Sequence, residues 1–280
     1  MKRPPLARSA HASQRGVAVV TALLVTVLAV TLVAGLFGHQ QLQLRLVENQ
    51  LLQAQARSLL RGAIDLARLD LQDGTAGAAR LDSALGLAPG ASLAQQVQDA
   101  QARFNLANLA SAGKVNLFQR AAFARLLATL RLDPDLAARA AAALADPGAA
   151  IGQLDDLAPL AGFTAAVREQ LRPFVVVLPE PTAVNVNTAP AEVLTTVADC
   201  SLQEARVLVA QRRLAPYRDA SDFALRLNDK ATLEGVNFSV ASDFFLVHSQ
   251  IRLEHARLAS EALLRRSGAG GAVLLALRAL

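Results

Sequence analysis

An uncharged run from Val17 to Gly38, VAVVTALLVTVLAVTLVAGLFG, constrains this chain more than any other stretch. It holds no proline. At 1.5 Å rise per residue it makes a helix of roughly 33 Å, enough to cross a hydrocarbon core of about 30 Å. A basic leader, MKRPPLARSAHASQR, precedes it, and the next charged residue is Arg45. Everything downstream is therefore carried by a helix that sits in, or comes from, a membrane.

The charge distribution supports that reading. The 280 residues hold 28 Lys and Arg against 23 Asp and Glu, a net charge of +5, with a pI near 10.3. Such a pI ordinarily points to nucleic acid. Here Lys2, Arg3, Arg8 and Arg15 all precede the apolar run, so the excess is a topology signal. Basic residues stay cytoplasmic and the C-terminal bulk lies across the membrane. Aromatic residues make up 4% and Trp is absent, a poor basis for stacking platforms. Cys200 is the single cysteine, so no intrachain disulfide can form.

Three fates compete for the leader. A secretory signal cut near Val33-Ala34-Gly35 is disfavoured, because such apolar regions usually run about 7–15 residues. An uncleaved signal anchor and a cut on the cytoplasmic side, between Gly16 and Val17, both remain open.

Beyond Gly38 the helical pattern continues. No proline occurs from Gln40 to Leu71, and two adjacent apolar stripes run along it: Leu52, Ala56, Leu59, Ala63 and Ala67, then Leu60, Ile64, Ala67 and Leu71. The spacing predicts one helix from Val17 to about Leu71, with a stop at Asp73-Gly74. Residues 73–95 read as a loop with a turn at Pro89-Gly90. Gln98 to Leu109 alternates as a half-buried strand.

From Asn116 the pattern is helical, with Phe118, Ala122, Leu126 and Leu130 on one face. Shorter helical pieces cover Leu136–Leu144, Leu154–Leu160 and Ala165–Leu171, and Phe174–Leu178 is extended. Thr188 then reads as an N-cap, with Pro190 and Glu192 in the first turn and Val193, Leu194 and Val197 buried. A turn at Asp199-Cys200-Ser201 leads to a second helix, Leu202–Arg213, burying Ala205, Leu208 and Val209. The unit is a helix-hairpin-helix. The tail alternates in Phe244–Glu254 and Ala256–Arg266 and closes with a strand at Ala272–Leu277, an antiparallel meander. With the Gln98–Leu109 strand it predicts a small sheet against the N-terminal helix, and the helices between 116 and 242 become an insertion.

DNA-binding hairpins cradle a phosphate on the backbone N–H groups of a glycine-containing turn. This turn has no glycine and carries Asp199. Between Asn185 and Lys230, Arg206, Arg212, Arg213, Arg218, Arg226 and Lys230 are balanced by Glu192, Asp199, Glu204, Asp219, Asp222 and Asp229, a poor electrostatic footprint for DNA. His11, His39, His248 and His255 show no metal-ligand spacing. Cys200 reads as a partly buried small residue, and Asp146 with Asp155-Asp156 as solvated loop carboxylates. No GxSxG, Walker or HExxH motif occurs. No catalytic, metal or cofactor residue is identified, and the chain reads as a non-enzyme.

The junction Arg15-Gly16-Val17 followed by a long apolar helix resembles the class III leader of type IV pilins and pseudopilins. The resemblance implies cleavage after Gly16 by prepilin peptidase and N-methylation of Val17. Most such proteins have Glu as the fifth mature residue. Here it is Thr21, the pattern of one minor family, the type II secretion system protein K. Gln40-Gln41-Leu42, Asp99–Leu109 (DAQARFNLANL), Phe118–Leu130 and Asn185-Val186-Asn187-Thr188-Ala189-Pro190 with Val193-Leu194 resemble successive parts of that family. Two positions depart from it. Ala107 replaces an Asn of the Asn-rich turn, and after Ala143 the chain is short and alanine-rich where relatives carry a Trp-Leu-Asp segment. The resemblance makes calcium a possible cofactor, but no ligand is identified.

These readings give an α+β fold: a pseudopilin-like long N-terminal helix packed on a small antiparallel sheet, with a large all-α insertion containing the helix-hairpin-helix-like unit. The expected segments are a leader at 1–16, the N-terminal helix at 17–72, the first sheet part at 73–112, the insertion at 113–242 and the C-terminal strands at 243–280. The resemblance implies a minor pseudopilin at the tip of the type II secretion pseudopilus. It would be a single-pass inner-membrane protein with a periplasmic domain, partnered by minor pseudopilins I and J and by prepilin peptidase, with no nucleic acid. The processing residues are Gly16 and Val17, the assembly-determining one is Thr21, and the motif residues are Asn185, Asn187, Thr188 and Pro190. The alternative is a membrane-anchored DNA-binding protein of the competence type, since the Asn-x-Asn-Thr-Ala motif is shared with it.

Overall fold

The computed structural model describes residues 13–72, 90–227, 237–267 and 271–280, which fall into two compact units, Met1–Ser58 and Leu59–Leu280. The expected stop at Asp73-Gly74 and the loop up to Pro89 lie outside the described residues.

The first unit is helical. It holds most of α1 (Ser13–Gln72), whose last turns belong to the second unit. From Val17 to Ala34 the mean hydropathy is 2.8 and none of the stretch is buried in protein. In hydrocarbon, no water is present to satisfy a polar group. Each threonine in this segment is satisfied by its own helix. Thr21 Oγ1 donates to the carbonyls of Val17 (2.9 Å) and Ala18 (3.0 Å), Thr26 Oγ1 to Ala22 (2.7 Å), and Thr31 Oγ1 to Val27 (3.0 Å) and Leu28 (2.9 Å).

In the second unit the last turns of α1 present Ile64, Ala67 and Leu71, all within 3% of full burial, to the inner faces of a sheet. The sheet contains β1 (Ala91–Asp99) and, after the long excursion between them, β8 (Phe244–Leu253), β9 (Ala256–Ser267) and β10 (Gly271–Ala279), in the order β1-β8-β9-β10 and antiparallel throughout. Val97, Phe245, Val247, Ala262, Leu264 and Ala272 face α1. Polar bonds fix the docking: Gln95 Nε2 donates to the Ala63 carbonyl (2.8 Å) and Ser249 Oγ (3.1 Å), and Arg68 Nε to the Ala272 carbonyl (2.8 Å).

The excursion begins where β1 ends. The expected strand Gln98–Leu109 is instead broken by two short 3-10 turns, Ala100–Ala102 and Leu106–Leu109, flanking β2 (Phe104–Asn105). Asp99 Oδ1 accepts the Gln101 N–H (2.8 Å) and Asn105 Oδ1 the Ala107 N–H (3.0 Å). Each short polar side chain offers the backbone a local bond in place of a sheet ladder. The alternation is real, but Phe104, Leu106 and Leu109 point into the core of the excursion. The sheet strand starts earlier than expected, at Ala91.

β3 (Ala110–Ser111) and β4 (Lys114–Val115) form a hairpin whose central residues, Ala112 and Gly113, both have positive φ (49° and 74°), the geometry of a type I′ turn. α2 (Leu117–Thr129) is capped by Asn116 Oδ1. Its buried face is Ala122, Phe123, Leu126 and Leu127. Phe118, assigned to that face from spacing, is exposed, because the core lies on the side of Phe123, which stacks on Phe104 at 5.4 Å.

α3 (Leu136–Ala145), α4 (Ala165–Leu171) and β5 (Val175–Val176, parallel to β2) complete the first half. β6 (Val184–Asn185), α5 (Ala191–Val197), α6 (Leu202–Leu214), α7 (Ala220–Arg226) and β7 (Phe238–Ser239, parallel to β6) form the second. The α5–α6 hairpin buries Val193, Leu194, Val197, Ala205 and Leu208 as expected, whereas Val209, expected with them, is only partly buried.

Candidate functional site

The motif Asn185-Val186-Asn187-Thr188-Ala189-Pro190 is where the excursion is tied to the sheet. Asp99 ends β1, and its Oδ2 accepts bonds from Asn185 Nδ2 (2.9 Å), Ser242 Oγ (2.7 Å) and the Thr188 hydroxyl. Asn185 Nδ2 also donates to Ser242 Oγ (2.9 Å). One carboxylate therefore joins the end of β1, the motif, and the residues just before β8. Gln101 repeats the link: its Nε2 donates to the Ala183 carbonyl (2.9 Å) and its Oε1 accepts the N–H groups of Asp243 and Phe244 (2.6 and 3.2 Å).

Asn187 ties the segment after α6 to the segment after β7. Its Nδ2 donates to the carbonyls of Tyr217 (2.9 Å) and Val240 (3.1 Å), and its Oδ1 accepts the Tyr217 N–H (2.8 Å). Thr188 is not an N-cap, because the Asp99 carboxylate takes its hydroxyl. The cap residue of α5 is Pro190, which has no backbone N–H to leave unsatisfied. A second pair, missed from sequence, pins residues 178–182. Asn105 Oδ1 accepts the Leu178 N–H (3.1 Å), and Asn108 exchanges bonds with the Thr182 N–H and carbonyl (2.8 Å each). Only the asparagine-rich character of the turn hinted at it. Motif residues 185, 187 and 188 thus act together, while Gly16, Val17 and Thr21 belong to the first unit, on α1.

The hairpin turn is closed to phosphate. At the start of α6, Glu204 Oε2 accepts the Ser201 N–H (2.8 Å) and Ser201 Oγ accepts the Glu204 N–H (3.3 Å), a capping box. Two of the backbone donors that could hold an anion, the Ser201 and Glu204 N–H groups, are therefore already used, and Asp199 stands beside them, 3.8 Å from Arg125. Burial first, then Glu204 and Asp199, pushes the Cys200 thiol up to about 11, which leaves it protonated and unreactive at neutral pH.

The described carboxylates of the insertion are taken up by the protein's own donors. Among the described residues no three of His, Cys, Asp or Glu gather. Asp155 accepts from Arg168 and Arg172 (3.2 Å each), and despite some burial these two guanidiniums hold its carboxyl below the usual range. Asp156 accepts the N–H groups of Gly152 and Gln153 (2.9 and 3.0 Å), and Asp146 that of Gly148 (2.9 Å).

A family model described as Type II secretion system (T2SS), protein K, matches residues 184–243. That stretch runs from β6 to the last residue before β8 and contains every partner of Asp99 Oδ2. The type II secretion system protein K of Pseudomonas aeruginosa (strain PAO1) is 29% identical over 300 aligned residues, covering 92% of this chain and 90% of the relative. Over nearly its whole length the chain is thus similar to type II secretion system protein K. The protein K fold is found as well in the crystal structure of the GspK-GspI-GspJ complex from the type 2 secretion system of enterotoxigenic Escherichia coli. The match has a TM-score of 0.67 and 21% identity, and covers 84% of this chain and 99% of that one.

Proposed function

We propose that this protein is a minor pseudopilin at the tip of the type II secretion pseudopilus, where it helps to initiate assembly and the export of folded proteins, with no catalysis of its own. The observation that carries the reading is α1. One helix supplies both a lipid-length, wholly exposed apolar segment and the apolar stripe that cores the sheet. The protein is anchored in the inner membrane by that single span, with its basic N-terminus cytoplasmic and its C-terminal domain periplasmic.

Its partners are minor pseudopilins I and J, a reading supported by the family relation and by the complex in which the related GspK is found. Prepilin peptidase cuts between Gly16 and Val17. The residue five places into the mature chain, Thr21, has an uncharged hydroxyl turned back onto its own helix. It offers no carboxylate to the N-terminal ammonium of a neighbouring subunit, which suits a terminal protomer that needs one fewer set of axial contacts.

N-terminal sequencing of the protein, made with and without prepilin peptidase, tests the reading. A mature start at Val17 only in the presence of the peptidase is expected, and Gly16→Ala should abolish both processing and secretion. An intact Met1, or a start near Leu36, would overturn it.

A further inference from the structure

A cleft of about 360 Å³ opens on the face of the sheet opposite α1, between β8–β10 and the excursion. Its floor is apolar, with Val176, Leu178, Leu246 and Leu263 among the lining residues, and its walls are cationic. Glu261 is the one carboxylate among the described lining residues, and it is shared. Its Oε2 lies 3.6 Å from His248 Nδ1 and its Oε1 lies 3.9 Å from the Arg278 guanidinium. Arg103 also feels Glu261 but forms no ion pair with any described residue, and its guanidinium donates only to the neutral Gln98 Oε1 at 2.7 Å. Arg172, the remaining cation of the wall, is neutralised by Asp155 and Glu169.

A half-buried guanidinium without a carboxylate is costly, because burial removes water and nothing replaces it. Consistent with this, burial is the main influence on Arg103 and lowers its pKa. The same cleft is bordered by β10 through Ala276, Leu277 and Arg278. β10 is the outer strand of the sheet, and its side chains Val273, Leu275 and Leu277 are 51%, 41% and 48% exposed. A register shift between Leu274 and Ala276 sets Ala276 opposite Leu263 and Arg278 opposite Glu261, on the side of the cleft. An extended chain added along β10 would gain backbone hydrogen bonds and, through the alternation of a strand, could direct one side chain over the cationic wall while covering the apolar residues with its neighbours.

We propose that this cleft and the β10 edge together receive an extended peptide segment of a second protein that carries a carboxylate between apolar residues. Arg103 and Arg278 bind the carboxylate, and Glu261 is its internal competitor. The inference stands on the chemistry of the cleft and does not depend on the pseudopilin reading.

The test uses the full chain in lipid nanodiscs, with empty nanodiscs as background, and two fluorescein-labelled peptides, acetyl-Val-Thr-Val-Glu-Val-Thr-Val-amide and the same sequence with Gln for Glu. Fluorescence anisotropy should show saturable binding of the Glu peptide and binding at least about tenfold weaker for the Gln peptide. Arg103→Met and Arg278→Met should each weaken the Glu peptide by about tenfold. Arg206→Met, on exposed α6, should leave it unchanged. Glu261→Gln should tighten it several-fold, a gain that loss of structure cannot produce. Equal binding of the two peptides, no saturable binding, or a Glu261→Gln variant that binds no better would overturn the proposal. Should the arginine variants fail to fold, the peptide pair and Glu261→Gln still decide it.

Discussion

At the scale of single residues, Asp99 carries more of the architecture than its place at a strand end suggests. Its Oδ2 accepts from donors 86, 89 and 143 residues away in sequence, while Oδ1 caps the first 3-10 turn. Asp99→Ala removes the acceptor and leaves the Asn185, Thr188 and Ser242 donors to find other partners. We expect a loss of about 2–4 kcal/mol, given about 1.5–3 kcal/mol for a hydrogen bond to a charged group, measured by urea denaturation. Cys200 offers a second check. With its thiol pushed up to about 11 from 9.0, its thiolate fraction at pH 8 falls about a hundredfold below that of an unperturbed thiol. Iodoacetamide should label it correspondingly slowly in the folded protein, and at the ordinary rate once urea unfolds the chain.

At the scale of elements, the face of α1 that meets the sheet is sharply defined. Leu71 is fully buried in that interface, whereas Leu69, two residues earlier, is 55% exposed. Leu71→Ala should cost about 2–5 kcal/mol through lost burial and a cavity, while Leu69→Ala should stay within about 0.5 kcal/mol. Thermal melts of the two variants separate them. This face was legible in the sequence, because a 3.6-residue period needs only local spacing, and so were β8 and β9, whose burial alternates from Val247 to Leu253 and from Ser260 to Arg265. The strand drawn over Gln98–Leu109 was not legible in that way. Its alternation serves a different core, and the break depends on Asp99 and Asn105 bonding to the backbone two residues on. Phe118 misled for a related reason: spacing defines a stripe, but the position of Phe104 decides which stripe is buried. The node itself was half visible. Asn185, Asn187 and Thr188 stood out as a motif, but their acceptor, Asp99, lies in a distant segment that no local pattern connects to them.

At the scale of the whole molecule, the charges sort by segment. The basic excess sits ahead of the membrane run, and in the α5–α6 hairpin Glu204 takes the Ser201 N–H. The α5–α6 turn therefore sets a carboxylate, not a phosphate, on its Ser201 N–H, although its topology resembles that of phosphate-binding hairpins. The sheet places a further condition on the chain. Asp99 and Phe245 are opposite each other in the β1–β8 register, and facing residues in an antiparallel pair lie only about 5 Å apart. The excursion thus departs and returns through one narrow doorway, latched by Asp99, Asn185, Thr188 and Ser242. By this geometry, a change of length within the excursion that spares Asn185, Thr188 and Ser242 leaves the register of the four strands untouched. The sheet is then closed to the excursion everywhere except at this one doorway.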